Sequence, residues 1–490
     1  MTNAAMQKTI YPANTYLQGA YEPVSEERVV GFEDMTVIGD LPDDLHGVYA
    51  RNGPNQRFAP TGNYHRYDGD GMVHAVQFEA GQATYRNAWI RTDSFQEEAA
   101  ARRALWGGML DPRRADRPDM PLKDTANTDI VLHAGRLVAL WYISGVPYLL
   151  DPVTLETLGP APSGGGRPAR ISAHSKTDES TGEFVFFGYG REQPYLYQGV
   201  LDAKGRLLGT TPVELPGPRM PHDMWISHRH TILHDLPLIW DEAAYAQGRV
   251  KLRFEENWPT RFGVMPRHGA ADSLRWYEFE PCYLLHTINA WEDGDWLHLT
   301  GCRIQPFADA QGNPDLQSIL TIMGRHRLNA RLYRWSINLA TGACKEGLLD
   351  DRWNAEFPTW NNAFLGGPMR HAYCAEVATD PVIHFPGLLK FDLESGESQH
   401  YSEGPGHTYS EAVFAPAGIE GAAGREDGAD DRGYVVSFVR NEPAARSEVH
   451  IFDAQNFADG PVCKLLLPCR VPDGFHATWA RGDLLAGAGA

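Results

Sequence analysis

Apolar positions along this chain fall almost entirely in short runs split by turn residues, the pattern of half-buried β-strands. MVHAVQF-EAGQ-ATYRNAWI, Met72 to Ile90, predicts a hairpin. TDIVLHAGRLVALWYISGVPYLLDPVTLETLG predicts three strands joined at HAG and SG. Helical spacing is scarce, and FQEEAAARRALWGGML, Phe95 to Leu110, predicts a helix-like insertion.

A weak repeat emerges when the strands are aligned. An apolar strand ends in Asp or Asn, a short turn follows, and a second strand begins. The instances carry Asp151, Asp202, Asn338, Asp392 and Asp453, at spacings of 51, 136, 54 and 61 residues. The long spacing fits two units. Four-stranded units at roughly 50 to 70 residues suit a β-propeller of about seven blades. A large irregular β-sandwich is the competing architecture. Residues 95–122 and 241–275 are expected to be insertions between strands. No linker interrupts the pattern, so 1–490 is expected to be a single propeller unit.

Composition narrows the functional classes. The chain has 490 residues, 42% hydrophobic and 22% charged, enough to bury a large core. Its net charge of −19, with no basic stripe, argues against nucleic acid and anionic membranes as partners. The stretch REDGADDRG, Arg425 to Gly433, is expected to be a solvated loop. The opening MTNAAMQKTI has no signal-peptide pattern, and the apolar run Leu137 to Leu150 is too short to span a bilayer. A cytoplasmic location is expected. Six cysteines without a CxxC pair are expected to be buried reduced thiols.

Among 19 histidines, His228, His230 and His234 form a short cluster in which the first two share a strand face. Exposed pairs of that kind are common without a metal. His174, His222, His286 and His476 share a different setting, each following an apolar or aromatic approach and preceding a strand-like stretch. They lie 48, 64 and 190 residues apart, one to a blade. Inner strands of a propeller line its axis, so such residues can converge there. Four neutral imidazoles suit Fe, Zn, Cu or Ni. Spacing alone does not single these four out from the rest.

Eight ordered motifs carry a resemblance over almost the whole chain: LPDDLHGVYARNGPN, YDGDGMVHAV, KDTANTDI, SAHSKTD, PHDMWIS, LLHTINA, LLKFDLESG and GFHATW. They resemble the carotenoid cleavage oxygenase family, and within it the bacterial lignostilbene dioxygenases. The resemblance implies an all-β, seven-bladed propeller with insertions capping an axial site. It implies one Fe(II) per subunit on His174, His222, His286 and His476, with O2 as cosubstrate. It also implies glutamates bonded to the outer N–H of three of these histidines. Glu356 and Glu411 match two such places, and Tyr142 stands where relatives carry the third glutamate. Thr128 matches a position near the iron, and Phe58 and Trp141 match or neighbour cavity-lining aromatic positions. Lys123 falls where stilbene-cleaving relatives contact the substrate's phenol.

The expected reaction adds both atoms of O2 across the central C=C of a 4-hydroxystilbene, resveratrol-like or lignin-derived, and releases two aromatic aldehydes. Lys123 would draw the phenol toward phenolate and push electron density to the alkene. An apocarotenoid cleaver is the alternative, with RRALWGGMLDPRR, Arg102 to Arg114, as its membrane-docking patch. A propeller that only binds partners is the third reading. A hydrolase is disfavoured, since the chain has no GxSxG.

Overall fold

The alternating runs pair into seven antiparallel sheets of four or more strands among the described residues. The computed structural model describes residues 14–114, 116, 117, 120, 122–161, 170–249, 251–320, 327–379, 382–418 and 430–485. The opening MTNAAMQKTI and residues 425–429 of the acidic stretch lie outside them. Blade I is built on Gly47–Pro54, Gly71–Glu79 and Gln82–Trp89. Blade II runs from Asp129–His133 to Thr157–Pro160, and blade III from Lys176–Asp178 to Leu207–Glu214. Blade IV runs from Trp225–Ile226 to Arg275–Phe279, and blade V from Tyr283–Asp293 to Cys344–Leu348. Blade VI runs from Ala355–Thr359 to Ser398–Tyr401, and blade VII from His407–Tyr409 and Val413–Pro416 to Pro461–Leu467.

Both ends of the chain close the ring. The C-terminal strand Ala477–Arg481 pairs with Gly47–Pro54, with Tyr49 opposite Trp479, and forms the inner edge of blade I. Near the N-terminus, the strand Thr36–Gly39 pairs with Pro461–Leu467 as the outer edge of blade VII. Side chains from neighbouring sheets fill the space between blades. Trp225 of blade IV meets Trp335 of blade V edge-on, with ring centroids 5.8 Å apart.

The repeated Asp or Asn has a common structural cause. Each ends the third strand of its blade, and its side chain accepts backbone N–H groups of the turn that follows. Asp392, for example, accepts from Glu394 and Ser395 at 3.0 Å each. Blade IV lacks the device, which explains the 136-residue spacing: its third strand is Thr260–Pro266 and its outer strand Arg275–Phe279.

Several expectations need correction. The helix is shorter than its apolar pattern suggests, spanning Asp93–Ala101. Thr92 caps it by accepting the Phe95 N–H, and Arg102 ends it in the left-handed conformation (φ 53°). The 241–275 insertion is also smaller, because residues 260–266 belong to blade IV. The inserted part is a small sheet of Leu238–Trp240 on Leu252–Phe254 around the helix Glu242–Ala246. The described part of the acidic stretch is not simply solvated. Asp430 is buried, accepts the Arg370 and His371 N–H groups, and pairs with the His371 ring at 2.5 Å. All six cysteines are free, but Cys344 is exposed and Cys469 is half-buried. In the basic–apolar patch, Trp106 and Met109 are buried, and Arg114 and Arg117 lie over the Trp106 ring. That patch is mostly packed onto the propeller rather than presented outward. No helix among the described residues is long and apolar enough to cross a membrane.

The turn device predicts that Asp392→Ala loses two charge-assisted bonds and the Arg370 ion pair, costing about 1.5–3 kcal/mol. A lower urea midpoint with an unchanged slope checks this; an unchanged midpoint contradicts it.

Candidate metal centre and its surroundings

Four of the inner strands, or the segments leading into them, carry a histidine toward the axis. His174 and His222 lie in the segments just ahead of the inner strands of blades III and IV, His476 immediately precedes that of blade I, and His286 lies within that of blade V. The rings converge. Centroids of His174 and His476 are 4.5 Å apart, His286 and His476 4.6 Å, His174 and His222 4.7 Å, and His222 and His286 5.2 Å. Ligand nitrogens of His174, His222 and His286 lie within 4.8 Å of one another. Of four sequence-distant candidates, the structure brings all four together.

Burial, reinforced by the neighbouring imidazoles, holds His174, His222 and His286 well below their ordinary pKa, so they are neutral with free lone pairs. For His476 burial acts in the same direction, but the carboxylates of Glu411, Asp129 and Glu356 outweigh it and raise the pKa. The Nε2 atoms of His174 and His286 are buried without a hydrogen-bond partner. Orphaned buried nitrogens are costly, and a metal ion between them would remove that cost. The residues present therefore fit a cation that prefers imidazole.

Two glutamates aim the rings. Glu356, 0% exposed, accepts from His286 Nδ1 and from the Phe357 N–H. Glu411 accepts from His476 Nδ1 at 3.0 Å and from the Ala477 N–H. Burial pushes the Glu356 carboxyl up to about 8 and raises that of Glu411. Such partners fix the tautomer and direction of a ligating imidazole. Tyr142 does not do this. Its hydroxyl donates to Met109 Sδ at 3.6 Å, and no ring hydrogen bond to His222 occurs among the described residues.

Strain marks the same place. His174 and Phe357 hold φ of 67° and 54°, positions costing about 1–3 kcal/mol each for non-glycine residues. Asp129 pins His174 by accepting its backbone N–H at 2.8 Å. Phe357 stacks on His476 with centroids 4.7 Å apart. Neither Asp129 nor Phe357 was expected at the site, although each adjoins an expected residue, Thr128 and Glu356.

On the insertion side, aromatics dominate. Tyr67 packs on Tyr142 at 4.8 Å and on Phe475 at 5.2 Å. Thr128 accepts the Tyr142 N–H, and its carbonyl accepts the His476 N–H. Trp141, Tyr142, Trp106 and Met109 line a crevice of about 30 Å³, capped by the insertion. Phe58 lies apart from it, beneath the Arg57 guanidinium at 5.2 Å.

Lys123 reaches this crevice but not as a free cation. Its Nζ sits 2.7 Å from both Asp70 and Glu98, and the residue is 9% exposed. Burial lowers its pKa, and the two carboxylates more than reverse the shift. The ammonium that would draw a phenol toward phenolate is already held by two carboxyl groups. The histidine cluster at 228–234 is structural. His230 pairs with Glu292 at 2.9 Å, and His234 is buried against Trp225 and Phe262.

Fold and site together define a class: a β-propeller enzyme with an axial imidazole centre backed by carboxylates. A family model described as retinal pigment epithelial membrane protein matches residues 21–481. The carotenoid 9,10(9',10')-cleavage dioxygenase 1 of Pisum sativum is 31% identical, over 96% of this chain and 90% of its own. The resveratrol cleavage oxygenase 1 of Aspergillus fumigatus is 28% identical, over 97% of each. The structure of the Pseudomonas brassicacearum lignostilbene dioxygenase superimposes with a TM-score of 0.83 at 27% identity, covering 96% of this chain and 99% of that one. A cobalt-substituted Synechocystis apocarotenoid oxygenase superimposes with a TM-score of 0.79 at 26% identity, covering 96% and 99%. The chain belongs to the retinal pigment epithelial membrane protein family, the carotenoid cleavage oxygenases. It is an iron-dependent dioxygenase acting on carbon–carbon double bonds.

Two outcomes follow from this geometry. Lys123→Met leaves Asp70 and Glu98 buried without their cation and costs about 3–5 kcal/mol of stability, read by chemical denaturation. A neutral effect contradicts the triad. Glu411→Gln weakens metal affinity about 10–100-fold, read by competition with a chelator. Unchanged affinity contradicts its aiming role.

Proposed function

We propose that the chain uses Fe(II) on His174, His222, His286 and His476 to cleave a conjugated C=C of an apolar, apocarotenoid-type polyene. The observation that carries the choice of substrate is the Lys123 triad. A 4-hydroxystilbene needs a cation to favour its phenolate, and Lys123 is already engaged by Asp70 and Glu98. A polyene is electron-rich without ionising. The 31% identity to a carotenoid-cleaving relative supports the same reading.

Bound Fe(II) supplies the centre at which O2 is activated, and the net reaction places one oxygen atom on each carbon of the cleaved bond. The chain's own residues do the rest. Glu356 and Glu411 hold His286 and His476 in a fixed direction. Phe357, Phe475, Tyr67 and Tyr142 supply an apolar wall that orients the alkene and keeps water away. Thr128, bonded to blades I and II at once, fixes the wall relative to His476. Admission of a long substrate through a 30 Å³ crevice requires its walls, Trp106 and Met109 among them, to move.

A 4-hydroxystilbene is the second reading, favoured by the likeness to the lignostilbene dioxygenase and the resveratrol-cleaving relative. The test incubates Fe(II)-loaded protein under 18O2 with an apocarotenal and, separately, with resveratrol. Two carbonyl products from the apocarotenal, each carrying 18O, are expected. Two hydroxybenzaldehydes from resveratrol alone overturn the polyene in favour of the stilbene.

A further inference from the structure

The histidines are open on the face opposite the insertion. A cavity of about 800 Å³ runs along the propeller axis and reaches His174, His286 and His476. Its walls include the inner strands Asp129–His133, Lys176–Asp178, Ala355–Thr359 and Ala477–Arg481, which start beside the axial residues and lead to the mouth. The volume would hold an organic ligand, but the walls near the histidines are polar. Lys176 pairs there with Asp223 at 2.7 Å, and Asp223 also accepts from the Thr287 N–H and hydroxyl.

Five carboxylates and three basic side chains line the cavity, an excess of negative charge in a chain of net charge −19. At the mouth Arg481 donates to Glu179 at 2.9 Å and to Asp483 at 2.6 Å, one cation between two carboxylates, with Lys204 at the rim. A divalent ion gives up its water reluctantly and needs polar walls until ligands replace that water. The aromatic crevice on the insertion side is far smaller, about 30 Å³.

We propose that this axial cavity is the loading route by which a hydrated divalent metal ion reaches the four histidines. Glu179 and Asp483 attract the ion at the mouth, and Arg481 restrains entry by neutralising them. The inference rests on the metal-centre reading.

The test follows Co2+ uptake by metal-free full-length protein, using the visible absorption of the bound ion, at low and high ionic strength. Glu179→Gln and Asp483→Asn each slow uptake about three- to tenfold at low salt, and Arg481→Gln speeds it by a similar factor. The differences vanish at high salt, and the final cobalt stoichiometry equals that of the parent. Glu97→Gln, on the insertion helix, leaves the rate unchanged. Identical low-salt rates in all variants overturn the route while leaving the centre intact. A raised KM for the alkene with unchanged uptake also overturns it, assigning the cavity to substrate. Absence of any Co2+ binding by the parent overturns the metal centre itself.

Discussion

The pairing of Ala477–Arg481 with Gly47–Pro54 is the interaction on which the rest of this structure depends. It closes a ring of seven sheets with a strand from the far end of the chain. It also carries His476 to the axis, because that residue immediately precedes the strand. Without this pairing the other three histidines would face an open gap, and Glu411 would have no imidazole to hold. Fold closure and site completion are the same event, and the pairing of Thr36–Gly39 with blade VII reinforces it from the opposite edge.

What the ring holds together is locally unfavourable. Four imidazoles are packed with centroids 4.5–5.2 Å apart, three of them kept neutral by burial, and two of their nitrogens lack partners. His174 and Phe357 adopt backbone conformations that side chains resist. Rigid sheets on every side make this tolerable, since no single blade can relax without breaking contacts with both neighbours. The two faces of the centre then differ. Aromatic rings and the insertion close one side, and the axial cavity opens on the other.

Much of this was legible in the sequence. The Asp or Asn ending five third strands is a turn device with a fixed side-chain role, so it repeats visibly even where the strands around it diverge. The ring histidines were legible only through the motif resemblance, because convergence on an axis leaves no local spacing to read. Helix length was misjudged because the apolar pattern runs past Arg102, where the left-handed turn stops the helix. The setting of Lys123 was hidden for a different reason. Its partners Asp70 and Glu98 lie 53 and 25 residues away in sequence, and only the packing of the insertion on blade I reveals the triad. Tyr142 was recognised as a departure, but its bond to Met109 could not be seen without the fold.

The central claim is that the axial centre is an iron site made of imidazoles alone. X-ray absorption at the iron edge of the Fe(II)-loaded protein tests it most directly. The account predicts one iron per chain with a first shell of histidine nitrogens, and loss of a nitrogen scatterer in His476→Ala. A shell dominated by carboxylate oxygen, or one unchanged by His476→Ala, would contradict it.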